Sequence, residues 1–261
     1  MMKYKTITIW ALLLIGLVAL LSFAEARHTS KICSKLRVNV LGTDKQQFIS
    51  YRDVEELVLN QGDSILNQPI SSIALQRIEE RLESRAAVKN AEVYLSLNGA
   101  LHVRVEQRTP LVRVINKRGE SGYLDELGYF MPLSEKYAAR VLVANGNIED
   151  GLWAFNYEEV AVSDSLRSET VLDEIFELAQ FIHERPFWKA QITQVYYNEE
   201  GDFELIPRVG AHIIVLGKAE HLEEKFGKLY AFYKKGLPYT DWNAYERINL
   251  KFNNQVVCTK K

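Results

Sequence analysis

The sequence predicts an α+β protein: an N-terminal transmembrane helix, then a small β-α-α-β-β unit, then a larger mixed β unit with two flanking helices. Three observations predict it. Residues 7–24 form an apolar run without a charge. Two alternating apolar runs flank Asn98-Gly99, behind two stretches of helical periodicity. After Thr109-Pro110 the chain breaks into short β-type runs separated by Gly and Asn turns. The composition, 47% apolar and 25% charged over 261 residues, is that of a folded chain with room for two small domains.

As a helix, residues 7–24 would span about 27 Å, close to the roughly 30 Å of a bilayer's hydrocarbon core. Lys3 and Lys5 precede the run, and no acidic residue occurs before Glu25. A cleaved signal peptide ending at Ser22-Phe23-Ala24 is the competing reading. The length favours an uncleaved anchor, because signal cores run about 7–15 residues. Arg27, Lys31, Lys35 and Arg37 make the outer flank the more basic one, against the positive-inside tendency. Long following domains cross regardless of charge, so both readings place the bulk of the chain outside the cytoplasm. Without Lys3 and Lys5, 30 basic and 34 acidic residues remain, a net −4 with no basic excess for nucleic acid. Residues 1–6 are then a cytoplasmic tail and 25–36 a polar juxtamembrane linker.

The small unit is expected over 37–108. Residues 36–41 read as a strand ended by Gly42. Ser50 is an N-cap with Asp53 three residues on, ahead of Val54, Leu57 and Val58 at helical spacing, and Gly62 stops that helix. A second helix follows Ser71-Ser72, with Leu75, Ile78 and Leu82 on one face and Glu79, Glu80, Arg81 and Glu83 on the other. Val93, Leu95 and Leu97 then alternate up to Asn98-Gly99, and Leu101, Val103 and Val105 alternate after it. Asn-Gly between two such runs predicts a two-residue hairpin, since both residues tolerate positive φ.

The larger unit is expected over 109–258, with 259–261 a C-terminal tail. Short strands are predicted at 111–115, 122–125, 129–131, 141–143, 191–197, 203–206 and 212–216. Helices are predicted at 169–184, stopping before Pro186, and at 220–235, closed by Gly236. Residues 247–257 read as one long strand, with Ile248, Leu250, Phe252 and Val256 on one face and Asn249, Lys251, Asn253 and Gln255 on the other.

Motifs for catalysis are absent from the sequence. Gly210 to Gly217-Lys218 has six residues between its glycines and Ala219 where a phosphate loop needs Ser or Thr. His28, His102, His183, His212 and His221 form no metal-ligand spacing with one another or with Cys33 and Cys258. Two cysteines are too few for a disulfide framework. There is no Gly-x-Ser-x-Gly elbow, and Glu158-Glu159 and Glu199-Glu200 read as solvated turns. No cofactor, metal or catalytic residue is assigned, and a binding protein is the expected class.

Several motifs carry a family resemblance. They are Val40-Leu41-Gly42 at a strand end, Val88-x-x-Ala91-x-Val93 followed by Leu101-x-Val103-x-Val105, and Gln107-Arg108-Thr109-Pro110 at the junction. Tyr123-Leu124-Asp125-Glu126-Leu127-Gly128 follows, and Ile248-Asn249-Leu250-Lys251-Phe252 stands near the end, continued by Asn254-Gln255-Val256-Val257. In this order behind an anchor, they resemble the FtsQ/DivIB family of bacterial cell-division proteins, over residues 7–258. The chain departs from the family pattern at Ala86-Ala87, where Pro-Trp is usual, at Glu106, one place early for the junction acid, and at Asn249 and Lys251, which replace Asp and Arg.

The resemblance implies a POTRA domain over 37–108, an FtsQ-type β domain after it, and a non-catalytic scaffold of the divisome at the inner membrane and septum. It implies FtsB/FtsL-like coiled-coil partners that add a β-strand at the C-terminal strand, and a link to the septal peptidoglycan synthase. By motif match, Lys251, Phe252 and Asn254 fall at the partner contact, Lys251 meeting an acidic group and Phe252 supplying an apolar anchor. The plainer alternative is an ordinary edge strand on which Lys251 discourages aggregation. In the POTRA domain, Leu57, Leu75, Ile78 and Leu82 read as core, and no contact residue is named. A different class, a membrane-anchored envelope enzyme such as a peptidoglycan hydrolase, stays as the alternative function. A POTRA protein of outer-membrane assembly fits poorly, because no β-barrel follows the domain.

Overall fold

The computed structural model describes residues 10, 14–18, 32–42, 48–59, 65–149, 151, 170–237 and 242–261. The chain divides into two compact units between Gln107 and Arg108. Of the apolar run 7–24, Trp10 and residues 14–18 are helical and exposed. The rest of the expected span lies outside the described residues, among which no helix is long and apolar enough to cross a membrane.

The N-terminal unit is a three-stranded sheet, order β1-β3-β2, with two helices on its apolar face. Strand β1 (Lys35–Leu41) pairs parallel with β3 (Ala100–Gln107), and β2 (Val88–Leu95) pairs antiparallel with β3. The parallel pairing requires a crossover, which helices α1 (Tyr51–Leu59) and α2 (Leu75–Glu83) supply. Helix α1 starts where the sequence places it. Ser50 N–H and Oγ donate to Asp53 Oδ2 at 2.8 and 2.7 Å, and Asp53 N–H returns to Ser50 Oγ at 3.3 Å, a reciprocal capping box. Val54, Val58, Ile78, Leu82, Val93, Val103 and Val105 form the core. Buried Gln107 accepts the Phe48 and Ile49 N–H groups at 3.0 and 3.1 Å, tying the approach to α1 to the end of β3.

Two details differ from the sequence expectation. The unit reaches back to Ile32, which bridges Pro69, and Cys33 is fully buried in the core, inside the stretch read as linker. The β2–β3 turn uses a three-residue loop. Gly99 N–H donates to Ser96 O and Ser96 N–H to Ala100 O, both at 2.9 Å, and Gly99 alone takes positive φ, +83°. This is a type I turn followed by a left-handed glycine, so Leu97 sits at the tip, exposed, instead of continuing the alternation. Gly62, the expected stop of α1, lies outside the described residues.

The C-terminal unit is built on a nine-stranded mixed sheet, order β12-β11-β10-β9-β8-β7-β4-β5-β6. Its strands are β4 (Pro110–Ile115), β5 (Ser121–Asp125), β6 (Phe130–Pro132), β7 (Leu142–Gly146), β8 (Ile192–Tyr197), β9 (Phe203–Pro207), β10 (Ile213–Gly217), β11 (Tyr245–Asn249) and β12 (Val257–Lys260). Among the described residues, three helices accompany them: α3 (Val171–His183), α4 (Pro186–Gln191) and α5 (Leu222–Lys235). Two were expected. Pro186, read as a stop, starts α4, because its fixed φ and missing N–H suit a first helical position. Leu172, Ile175, Leu178, Ala179 and Ile182 of α3 pack into one core with Val112, Val114, Val195, Leu205, Ile214, Phe226 and Leu229.

The long strand expected over 247–257 is two strands. Asn254 has φ +56°, a left-handed conformation that Asn tolerates, and the chain reverses there. Strand β12 then folds back antiparallel on β11, with Ile248 opposite Cys258 and Asn249 opposite Val257. The alternation read from sequence holds at Ile248 and Leu250, both fully buried, and breaks after Lys251.

Candidate functional site

The candidate site is the C-terminal edge of the large sheet. Strand β11 lies parallel to β10, with Ile214 opposite Ile248. Leu250 N–H extends that ladder by donating to Val215 O at 2.9 Å. Among the described residues, strand β12 is the outermost strand and has a neighbouring strand on one side only. Val257, Thr259 and Lys260 are exposed, while Cys258 packs against the core. Burial pushes the Cys258 thiol pKa up, which keeps it an unreactive neutral thiol. An outermost strand presents unpaired N–H and C=O groups, so the edge can take a further strand.

The three residues singled out from the sequence, Lys251, Phe252 and Asn254, lie in the β11–β12 connection instead of within a strand. Lys251 Nζ donates to Asp202 Oδ2 at 2.5 Å, and its N–H donates to Asn249 Oδ1 at 2.9 Å. The Phe252 ring is 47% exposed and belongs to no core cluster. Asn254 makes the turn. All three are brought together in this connection, and Phe252 does not share the buried face of Ile248 and Leu250 as expected.

Other elements hold this connection, and sequence reasoning missed them. Lys228 of α5, its side chain 14% exposed, donates to Leu250 O at 3.3 Å and to Phe252 O at 2.7 Å and pairs with Glu224 at 3.4 Å. Gly217 ends β10 at φ +79°, where a Cβ would stand 2.9 Å from Lys251 Cγ; the Lys251 stem therefore crosses a position only glycine leaves open. Asp202 is presented by the β8–β9 turn, where its N–H donates to Asn198 Oδ1 at 2.9 Å. Arg247 on β11 pairs with Glu204 on β9. Behind the connection, Lys225 is buried and donates to Lys218 O at 2.7 Å, and burial lowers its pKa. Together Asp202, Lys218, Lys225, Lys228 and Lys251 line a polar cleft against the β11–β12 connection. The i, i+4 spacing of Glu224 and Lys228 was the available signal, though such spacing marks many solvated helices.

A second buried polar arrangement ties the start of this unit together. Arg108 Nη1 and Asp125 Oδ2 are 3.0 Å apart, with side chains 14% and 2% exposed. Asp125 Oδ1 accepts Leu127 N–H at 2.9 Å and Tyr129 N–H at 2.8 Å, and the Arg108 guanidinium lies 4.1 Å from the Tyr129 ring centre. The junction motif at Arg108 and the Tyr-Leu-Asp motif at Asp125 are thus the two halves of one ion pair.

A family model described as FtsQ/DivIB, C-terminal related, matches residues 109–259, more than half the chain. The chain belongs to the FtsQ/DivIB family. A POTRA-like domain matches residues 31–106 of this FtsQ/DivIB-family chain, the unit built from β1, α1, α2, β2 and β3. No curated protein matches the chain. Membership supports a scaffold role in cell division. Among the described residues, no group of three or more His, Cys, Asp or Glu could hold a metal ion.

Proposed function

We propose that this FtsQ/DivIB-family chain is a non-catalytic, single-pass scaffold of the bacterial division machinery. Residues 7–24 anchor it in the inner membrane with the N-terminus in the cytoplasm, and the POTRA-like and sheet units stand on the periplasmic side at the septum. An FtsB/FtsL-like coiled-coil partner adds a strand to β12, and that contact links the chain to septal peptidoglycan synthesis. The observation that carries this reading is the position of β12 as an outermost strand paired on one side. Lys251, Phe252 and Asn254 flank it in the β11–β12 connection, so they contribute at the end of the added strand. Phe252 offers an exposed apolar side chain, the kind of anchor that dominates binding energy at the centre of small interfaces.

The test is capture from dividing cells. Full-length tagged protein is cross-linked, and the captured proteins are identified by mass spectrometry, for the parent and for Lys260→Pro, which removes an outward β12 N–H and leaves the ladder to β11 in place. Recovery of small single-span coiled-coil proteins by the parent, and their loss in a folded Lys260→Pro variant, is the expected result. Equal recovery by both excludes β12 as the docking strand. Recovery of none, with the tagged protein spread evenly around the envelope, overturns the scaffold reading.

A further inference from the structure

Among the described residues, strand β2 is an outermost strand of the POTRA-like sheet, yet two neighbouring outward donors are occupied. Glu83 Oε1 accepts Ala91 N–H at 3.1 Å and Glu79 Oε1 accepts Val93 N–H at 2.7 Å. Both carboxylates come from α2, from the face that the sequence sets opposite Leu75, Ile78 and Leu82. The two spacings match. Residues four apart on a helix are separated by about 6 Å along its axis, and residues two apart on a strand by roughly 6.6 Å. Because N–H groups alternate sides along a strand, Ala91 and Val93 point the same way, so one helix face fills one row of donors.

We propose that Glu79 and Glu83 close the β2 edge against pairing with a second copy of the chain. Three observations point to a second copy as the strand excluded. Strand β2 is long for an outermost strand, eight residues, and contains no proline. Tyr94 on it is 51% exposed and stacked on His102 at 4.9 Å, so an open β2 would offer an aromatic contact beside its free donors. Antiparallel β2–β2 pairing about a two-fold axis near Glu92 would use the Ala91 and Val93 N–H groups of both copies, the same donors the carboxylates take. The carboxylates satisfy those donors and turn negative charge toward any incoming row of carbonyl oxygens, a direct form of edge protection.

The experiment uses the full-length protein in detergent micelles with E92C as reporter at the expected two-fold axis. Cross-linking of E92C is compared in the parent background, in Glu79→Ala with Glu83→Ala, and in Glu79→Gln with Glu83→Gln. The glutamine pair keeps a carbonyl acceptor at each position. The expected result is a cross-linked dimer that rises with protein concentration in the alanine pair, and parent-level cross-linking in the glutamine pair. Amide exchange gives a reading that does not depend on the double variant folding. In the single variants Glu79→Ala and Glu83→Ala, the Val93 and Ala91 amides, respectively, exchange about tenfold faster, each while its neighbour stays protected. No gain in cross-linking for a folded alanine pair overturns the proposal. Cross-linking in the glutamine pair as strong as in the alanine pair, or unchanged exchange at Ala91 and Val93, also overturns it.

Discussion

Lys228 Nζ on α5 donates to the main-chain carbonyl of Phe252 at 2.7 Å and reaches that of Leu250 at 3.3 Å. A helix thereby holds the segment that turns β11 into β12. The lysine supplies donors to carbonyls that leave the ladder where the strand ends, a role usually filled by backbone N–H groups. Lys228→Met keeps the apolar stem and removes the donors. Since hydrogen bonds to charged groups contribute roughly 1.5–3 kcal/mol, the variant is expected to lose about 1–2 kcal/mol in urea unfolding. Amides of residues 257–260 should exchange faster in the same variant, because β12 is ordered through this connection.

Arg108 and Asp125 form the buried ion pair at the start of the large unit. Removing one partner leaves the other charge without compensation in a site from which water is largely excluded. Arg108→Met is therefore expected to cost about 3–5 kcal/mol, read as a shift in the urea midpoint. Replacing both, with Asp125→Asn added, should recover part of the loss, since the neutral amide still accepts the Leu127 and Tyr129 N–H groups. A double variant no more stable than Arg108→Met would show that the cost lies in lost packing of the arginine against Tyr129.

Local signals were legible in the sequence wherever they decided local structure. The Ser50–Asp53 box, the alternation of Val93 with Leu101, Val103 and Val105, and the apolar face of α3 all appear as read. The misses have physical reasons. Leu97 continues an alternating pattern, but a type I turn with one left-handed glycine needs three loop residues, and Leu97 falls among them. Asn254 interrupts a run that otherwise alternates; its positive φ is a property of one residue that periodicity does not register. The order of the nine strands rests on parallel pairings such as β4 with β7 and β7 with β8, which join distant segments and leave no local mark. The candidate site divides the same way: a motif singles out Lys251 and Phe252, whereas Lys228, Asp202 and Gly217 come from other elements and meet them only in the fold.

His212 sits at the mouth of β10, buried, with Nε2 2.8 Å from the Tyr233 hydroxyl. Burial lowers its pKa below the ordinary 6.5 and raises that of Tyr233, so the pair is neutral at pH 7. Between the unfolded value near 6.5 and the lower folded value, the unfolded chain binds the proton and the folded one does not. Stability is therefore unaffected above that window and falls as pH drops through it. His183, also lowered by burial, acts in the same direction. Melting temperatures at pH 7.5, 6.5 and 5.5 should decline on acidification, and His212→Gln should flatten the decline without abolishing it. A slope unchanged by His212→Gln would place the titrating group elsewhere.

Asn254 turns the chain at φ +56°, and the residue type there decides whether β12 can return to β11. Glycine adopts this conformation at no steric cost, whereas a β-branched side chain meets the following carbonyl oxygen, at a penalty of roughly 1–2 kcal/mol. Asn254→Gly is expected to leave unfolding free energy within about 0.5 kcal/mol of the parent, and Asn254→Val to lose about 1–2 kcal/mol. The loss should be local. Because Leu250 and Ile248 remain in the core on the β11 side, strained turning frees β12 first, and amide exchange in Asn254→Val should accelerate at residues 257–260 while β10 stays protected. Equal acceleration in β10 and β12 would mean that the edge and the core open as one cooperative unit.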